Sequence, residues 1–381
     1  MPAADARPRL LLALTYYYPY VSGISEYARL IAEALVPHFR VTVLTGRHRR
    51  GLPDAETVNG VEVVRSPPLV FLHKGYLSTA FVRTFHRLAR RADAVNLHVP
   101  MLEAGLLARL MPRDVPLVVT YQCDLAFTGS WLDQLAVRAV RASARIAMAR
   151  ADAVAVLSHD YAAGSPLLAR VAAKTHEIFP PVKDAGAASP AHRDPAPRVG
   201  FLGRFVKEKG IDVLLAAIPL VQREIPDVRF VLAGEFRRVA GGGMYDAIEH
   251  TLARLSAVDV TGSIDPDALG AFYASLDVLV LPSINAYEAF GMVQVEAMTA
   301  GVPVVATDLR GVRVPIARTG AGILVPPGDP EQLARGIVEA LRRSWDREAI
   351  RTTARDVFST ERASSAYRVL YERLIGARGR A

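Results

Sequence analysis

Short apolar runs of four or five residues alternate with longer stretches of helical period along the chain. In the first half the runs at 10–14, 41–44, 61–65, 94–97, 117–120 and 153–157 predict strands. Bounded runs of that length, rich in Val and Leu, fit strands covered on both faces. Between them, apolar residues three and four apart predict helices over 25–35, 78–91 and 132–150. Ile24, Tyr27, Ala28, Ile31 and Leu35 form one such face just after Gly23.

The second half repeats the scheme. Strands are predicted at 198–202, 229–233, 278–281, 304–306 and 322–325, and helices at 211–224, 244–255, 266–275, 292–300 and 330–342. Strand–helix alternation of this kind builds parallel sheets with helices on both faces. Residues 183–197 carry Pro, Ala and Gly without an apolar period, so the boundary between two domains is expected there. The expected domains are 1–185 and 196–357, and 381 residues suit two cores better than one.

Composition narrows the class. With 51% apolar and 7% aromatic residues the chain is globular and aliphatic. One cysteine, Cys123, excludes an internal disulfide framework and fits a reducing cytoplasm. The run at 10–14 ends in Thr15-Tyr16-Tyr17-Tyr18-Pro19 without a cleavage site, so no signal peptide is expected, and no run is long enough for a membrane span. Residues 1–195 hold 23 Lys and Arg against 16 Asp and Glu, and residues 196–381 hold 23 against 22. The basic excess of the first half reads either as solvated arginine-rich faces or as a surface for an anionic membrane or a phosphate-linked acceptor. Arg138, Arg141, Arg145 and Arg150 recur along the helix predicted at 132–150, which could lie on anionic lipid or face water. No zinc knuckle or aromatic-interleaved basic stretch points to nucleic acid.

Four motifs carry candidate chemistry. Gly203-Arg204-Phe205-Val206-Lys207-Glu208-Lys209-Gly210 follows a predicted strand and precedes a helix. There Arg204 and Lys209 could neutralise a diphosphate, with Gly203 and Gly210 allowing close backbone approach. The same residues also describe a solvated basic turn. Glu288 and Glu296 flank a helix start whose amides at Phe290, Gly291, Met292 and Val293 could meet an anion. Glu296 has apolar neighbours, where an unpaired carboxylate is costly, so a ribose ligand fits it, and Glu288 could meet sugar hydroxyls. Ser22-Gly23 sits in the first strand–helix turn, where a phosphate or sugar could approach or where turn geometry alone could require the glycine. His98, Gln122 and Asp124 end two neighbouring strands, suited to sugar or acceptor contact, or in the case of Asp124 to a helix cap.

At these motifs the sequence resembles glycosyltransferase family 4, retaining transferases of the GT-B fold. The resemblance rests on Leu281-Pro282-Ser283 with Glu288 and Glu296, on Gly203-Arg204 with Glu208-Lys209-Gly210, and on 301–306. It implies two Rossmann-like doubly wound α/β domains with a cleft between them, the second holding the nucleotide sugar and the first the acceptor. It also implies a last helix, about 358–381, packed back on the first domain, and chemistry without a metal or other cofactor. Arg204 and Lys209 correspond to the diphosphate pair, Glu296 to the ribose ligand, and Glu288 with the following amides to the sugar and phosphate clamp. Gly23 matches the second glycine of the family's first-loop pair, whose first position is Ser22 here. Where many members carry histidine this chain has Gln122, which cannot act as a base. The family's frequent glutamate is also absent from Asp308-Leu309-Arg310-Gly311-Val312-Arg313.

The expected function is retaining transfer of a hexosyl unit from GDP-mannose or a UDP-hexose to a glycan or lipid-linked acceptor, in the cytoplasm or on the inner face of the membrane. A nucleotide-sugar epimerase or hydrolase of the same fold is the enzymatic alternative. A non-catalytic nucleotide-sugar-binding protein is the other, and it would need the cationic pair or the glutamates degraded.

Overall fold

The computed structural model describes residues 6–72, 75–125, 131–184, 196–236 and 244–378. The chain forms two compact units, Met1–Pro181 with Thr360–Ala381, and Val182–Ser359. Most of the proline-rich boundary segment, residues 185–195, lies outside the described residues.

In the first unit the strands are β1 (Arg9–Ala13), β2 (Arg40–Gly46), β3 (Ala55–Val58), β4 (Val61–Ser66), β5 (Val70–Leu72), β6 (Gly75–Leu77), β7 (Ala94–Val99), β8 (Leu117–Tyr121), β9 (Ala153–Val156) and β10 (Thr175–Glu177). Eight of them make one sheet in the order β10-β9-β8-β7-β1-β2-β4-β3, and β5 and β6 pair separately. All eight are parallel to their neighbours except β3, which runs antiparallel to β4. The central strands are buried along their length, as continuous Val/Leu runs require in a sheet covered on both sides. Helix Gly23–Leu35 starts from a capping box in which Ser22 accepts from the Ser25 amide and the Ser25 hydroxyl accepts from the Ser22 amide.

The last helix, Thr360–Arg378, belongs to this first unit. A buried hydroxyl chain fastens it. The Tyr367 hydroxyl lies 2.9 Å from that of Tyr27 and 2.8 Å from that of Thr120. Thr120 donates to Asn96 Oδ1 at 3.0 Å, and Asn96 Nδ2 donates to the Tyr371 hydroxyl at 2.7 Å. Each of these polar groups is buried and partnered, which is the condition for keeping them in a core.

The second unit has β11 (Arg198–Leu202), β12 (Arg229–Ala233), β13 (Val258–Gly262), β14 (Val278–Leu281), β15 (Val304–Thr307) and β16 (Gly322–Val325), all parallel, in the order β13-β12-β11-β14-β15-β16. Successive residues of β14 enter opposite cores. Val278 and Val280 pack with Phe201, Phe230 and Ile337, whereas Leu279 and Leu281 pack with Tyr273, Ala297 and Val304.

The basic helix predicted at 132–150 spans Trp131–Arg150. Arg138, Arg141 and Arg145 are exposed on it, but Arg150 turns back to the Pro112 carbonyl and lies 3.7 Å from Asp152, which removes it from the four-arginine face. Among the described residues no helix is long and apolar enough to cross a membrane.

Candidate functional site

In each sheet the chain leaves its first strand to one side and returns to the other. That creates a crevice at the carboxyl ends of two neighbouring strands, where open α/β sheets bind ligands. In the second unit these strands are β11 and β14.

The loop after β11 turns through Lys207–Lys209 to Gly210, whose φ of +67° is left-handed. A Cβ there would stand 1.9 Å from the Pro282 carbonyl oxygen, so only glycine lets this loop lie against the one after β14. The Ile284 amide, donating to Glu208 O at 3.1 Å, ties the same two loops. Across this junction the Lys209 ammonium is paired with the Glu288 carboxylate, to which the Ser283 hydroxyl also donates at 3.3 Å. Arg204 is more exposed and lies 3.9 Å from Glu208. The Gly203 amide is taken by the Ala233 carbonyl at 3.0 Å.

After β14, Gly291 is left-handed at φ +77° and opens helix Met292–Thr299. Phe290 points its ring inward, edge-on to Phe358 at 5.7 Å, so only its backbone can serve a ligand. Gln294 is fully buried and donates through Nε2 to the Phe290 carbonyl at 2.6 Å and the Val312 carbonyl at 2.8 Å. It pins the Gly291 turn to the loop after β15. Glu296 is half-buried, and Oε2 accepts from the hydroxyl of fully buried Tyr273 at 2.6 Å. Arg204, Lys209, Glu288 and the Gly291 turn therefore cluster on two loop ends, with Glu296 on the helix that follows.

In the first unit the corresponding strands are β7 and β1. Gly23 is exposed, with open space where a Cβ would stand, while the hydroxyl of Ser22 is occupied in the helix cap. Gln122 is buried at the end of β8, and its Nε2 donates to His98 Nδ1 at 3.2 Å. Burial pushes the His98 pKa down to about 3, so the ring is neutral, and its Nε2 is sealed without a partner. Among the described residues Asp124 caps no helix. It accepts from the hydroxyls of Tyr121 and Ser165, the latter at 3.1 Å, and its amide donates to the Tyr161 hydroxyl at 2.7 Å. Its carboxylate is held by its own unit, as is His98.

Two family models cover most of the chain. Glycosyl transferases group 1 matches residues 183–357, and the glycosyl transferase 4-like domain matches 22–179. The chain belongs to the group 1 glycosyltransferases. Curated relatives of this group 1 glycosyltransferase include a phosphatidyl-myo-inositol mannosyltransferase of Mycobacterium leprae, 38% identical over 40% of each chain. A 2-deoxystreptamine glucosyltransferase of Streptomyces kanamyceticus is 27% identical over 81% of this chain and 84% of its own. The chain spans about two-fifths of the length of the first curated relatives it matches. Among solved structures, a sucrose-phosphate synthase from Thermosynechococcus elongatus superposes with a TM-score of 0.75 at 22% identity, covering 97% of this chain and 100% of that one. Anabaena HepE in complex with UDP-glucose gives 0.71 at 18% identity, over 96% and 100%. With these neighbours, the fold of the group 1 glycosyltransferase is GT-B.

Tyr273 and Gln294 were not foreseen. Each supports a predicted ligand contact, Tyr273 holding Glu296 from 23 residues away and Gln294 tying the Gly291 turn to the Val312 carbonyl 18 residues on, and neither stands out in the pattern of its own helix.

Proposed function

We propose that the protein is a retaining glycosyltransferase that moves a hexosyl unit from a nucleoside-diphosphate sugar, bound by the second unit, to an acceptor bound by the first. The observation that carries this reading is the Lys209–Glu288 pair at the β11/β14 crevice, beside the Gly291 turn. Arg204 and Lys209 are the cations for the diphosphate, and the turn at Gly291 presents helix-start backbone to it. Glu296, held by Tyr273, takes the ribose hydroxyls. The bond from the anomeric carbon to the diphosphate oxygen breaks. The acceptor oxygen forms the new bond on the same face, and its proton passes to the departing phosphate oxygen. Gln122 and the neutral, buried His98 are not needed as bases in that scheme.

GDP-mannose and UDP-hexoses are the donor classes to test, with a glycan or lipid-linked acceptor. The activities of these relatives and the UDP-glucose held by HepE support that choice. Thermal unfolding against UDP-, GDP-, ADP- and TDP-sugars in EDTA is the first experiment. A donor at 100 times its Kd adds about 2.7 kcal/mol. One nucleotide class is expected to stand out without metal, and a flat panel overturns the reading.

Glu296→Ala should then raise donor KM about 10- to 150-fold, the range for a lost hydrogen bond to a charged group. Tyr273→Phe removes only the strut, so donor KM should rise less, with kcat unchanged. If donor KM is unaltered in Glu296→Ala, the ribose role is wrong.

A further inference from the structure

The outward side of helix Trp131–Arg150 carries a feature that the donor chemistry does not use. Trp131, Leu135, Arg138, Ala142, Arg145 and Ala149 recur every three or four residues, so they share one stripe, and all six are exposed. Trp131 is 72% and Leu135 55% exposed, two large apolar side chains left in water one helical turn apart. The opposite side is committed to the first unit: Val137, Ala144, Ala147 and Met148 are buried. Ser143 accepts from the Gly105 amide at 2.7 Å and donates to the Leu102 carbonyl at 2.5 Å. A Cβ on Gly105 would stand 2.9 Å from the Ser143 carbonyl oxygen, so the two helices touch closely there. The helix cannot roll to bury Trp131 and Leu135 without breaking this contact.

The stripe leads to a pocket of about 400 Å³. Arg145 and Ala149 form one wall, and Arg170 and Lys174 enter from the turn Ala169–Lys174. Met148, Leu167 and Val171 make the rest apolar. Among the described residues no acidic side chain lines it. Arg138, Arg141, Arg145 and Arg170 make no ion pair among the described residues, and Asp133 is the one acidic residue in the helix sequence. Asp152, just beyond the helix, is occupied by Arg378 at 2.7 Å and the Leu117 amide at 2.8 Å. Lys174 uses two of its three N–H donors on the Ala149 and Ala151 carbonyls, at 3.0 and 2.6 Å.

Three cations with no anion among them select a negative group, and the apolar lining suits one that carries hydrocarbon rather than a bare ion. Tryptophan at the head of the stripe suits the boundary between lipid headgroups and acyl chains, where its ring is apolar at one end and wet at the other. A nucleic-acid duplex would satisfy the arginines and leave Trp131 and Leu135 without an apolar partner. The stripe runs about 30 Å along one side, so its apolar head and basic tail can meet one flat surface together. We propose that this stripe and pocket dock the protein on an anionic phospholipid bilayer. Trp131 and Leu135 enter the acyl boundary, and a headgroup phosphate sits between Arg145, Arg170 and Lys174. This goes beyond the transfer reaction and does not depend on which donor is used.

The test is co-sedimentation of the full chain with vesicles at low salt, phosphatidylcholine alone against phosphatidylcholine mixed with phosphatidylglycerol. Partitioning is expected to be at least about 10-fold stronger on the anionic vesicles and to weaken as salt rises. Fluorescence emission should shift to the blue on the same vesicles, and Trp131→Phe should abolish the shift, because Trp345 is the other tryptophan of the chain. Arg145→Gln combined with Arg170→Gln changes exposed residues only and should lower anionic partitioning about 10- to 30-fold, at about five-fold per cation. The unfolding shift produced by a nucleotide sugar should be the same in every variant, because these residues lie outside the second unit. Equal partitioning onto the two kinds of vesicle, anionic binding that survives the arginine pair, or an unshifted Trp131 emission overturns the proposal. Retention on duplex DNA without binding to vesicles would assign the face to a different polyanion and overturn it as well.

Discussion

Lys209→Ala should lower kcat/KM for transfer about 10²- to 10³-fold, the usual loss when one preorganised donor to a developing oxyanion is removed. Two effects add. The ammonium no longer meets the charge that accumulates on the departing diphosphate. The substitution also strips Glu288 of its cation, leaving that carboxylate with the 3.3 Å Ser283 bond and a negative charge beside the leaving group. Because the diphosphate gains charge as the glycosidic bond breaks, kcat should fall more than KM rises. Lys209→Arg keeps the charge but replaces a compact ammonium with a planar fork, so it should recover only part of the rate. Steady-state kinetics with the donor identified by thermal shift reads all of this. A raised KM at unchanged kcat would show that Lys209 merely holds the ground-state phosphate.

The second unit was more legible in the sequence than the first. Strands β11, β12, β14 and β16 coincide with the predicted ranges, because each is a bounded apolar run inside a covered sheet. The strand at β13 was missed: it is an edge strand, and its residues alternate between half-buried and exposed, so no apolar run marks it. β3, antiparallel at the other sheet's edge, was missed for the same reason. The helices Ala104–Leu110 and Val314–Thr319 are too short for a 3.6-residue period to emerge. Arg204, Lys209, Glu288 and Glu296 could be picked out because charges at strand ends amid apolar neighbours need a reason. The polar chain from Tyr27 through Thr120 and Asn96 to Tyr367 and Tyr371 could not. Its members lie up to 340 positions apart, and the fold alone brings them together. Glu103, only 8% exposed and with Oε1 sealed and without a hydrogen-bond partner, escaped notice because, read along the chain, it opens an ordinary helix. Its isolation is a property of three dimensions.

That isolation sets the other large effect, on stability. Burial lifts the Glu103 pKa from an ordinary 4.5 to about 7, against a smaller lowering by a backbone hydrogen bond. An acid whose folded pKa is raised holds its proton longer when folded than when unfolded. The folded protein therefore loses stability as pH climbs from 4.5 to about 7, and the penalty is complete above that. At 1.36 kcal/mol per unit it amounts to at most about 3 kcal/mol. Tyr16 and Tyr76, whose pKa values burial raises, are neutral throughout this window, and the depressed pKa of His48 leaves it a weak source of compensation. Glu103→Gln should accordingly match the wild type near pH 4.5 and exceed it above pH 7. The gain is roughly 6–12 °C in the unfolding midpoint, at about 2–4 °C per kcal/mol for a unit of this size. Scanning calorimetry of both proteins from pH 4.5 to 8 reads the divergence directly. A constant offset across that range would mean that the carboxylate is not the cost. A gap that opens as pH rises through this window would tie the cost to the buried carboxylate.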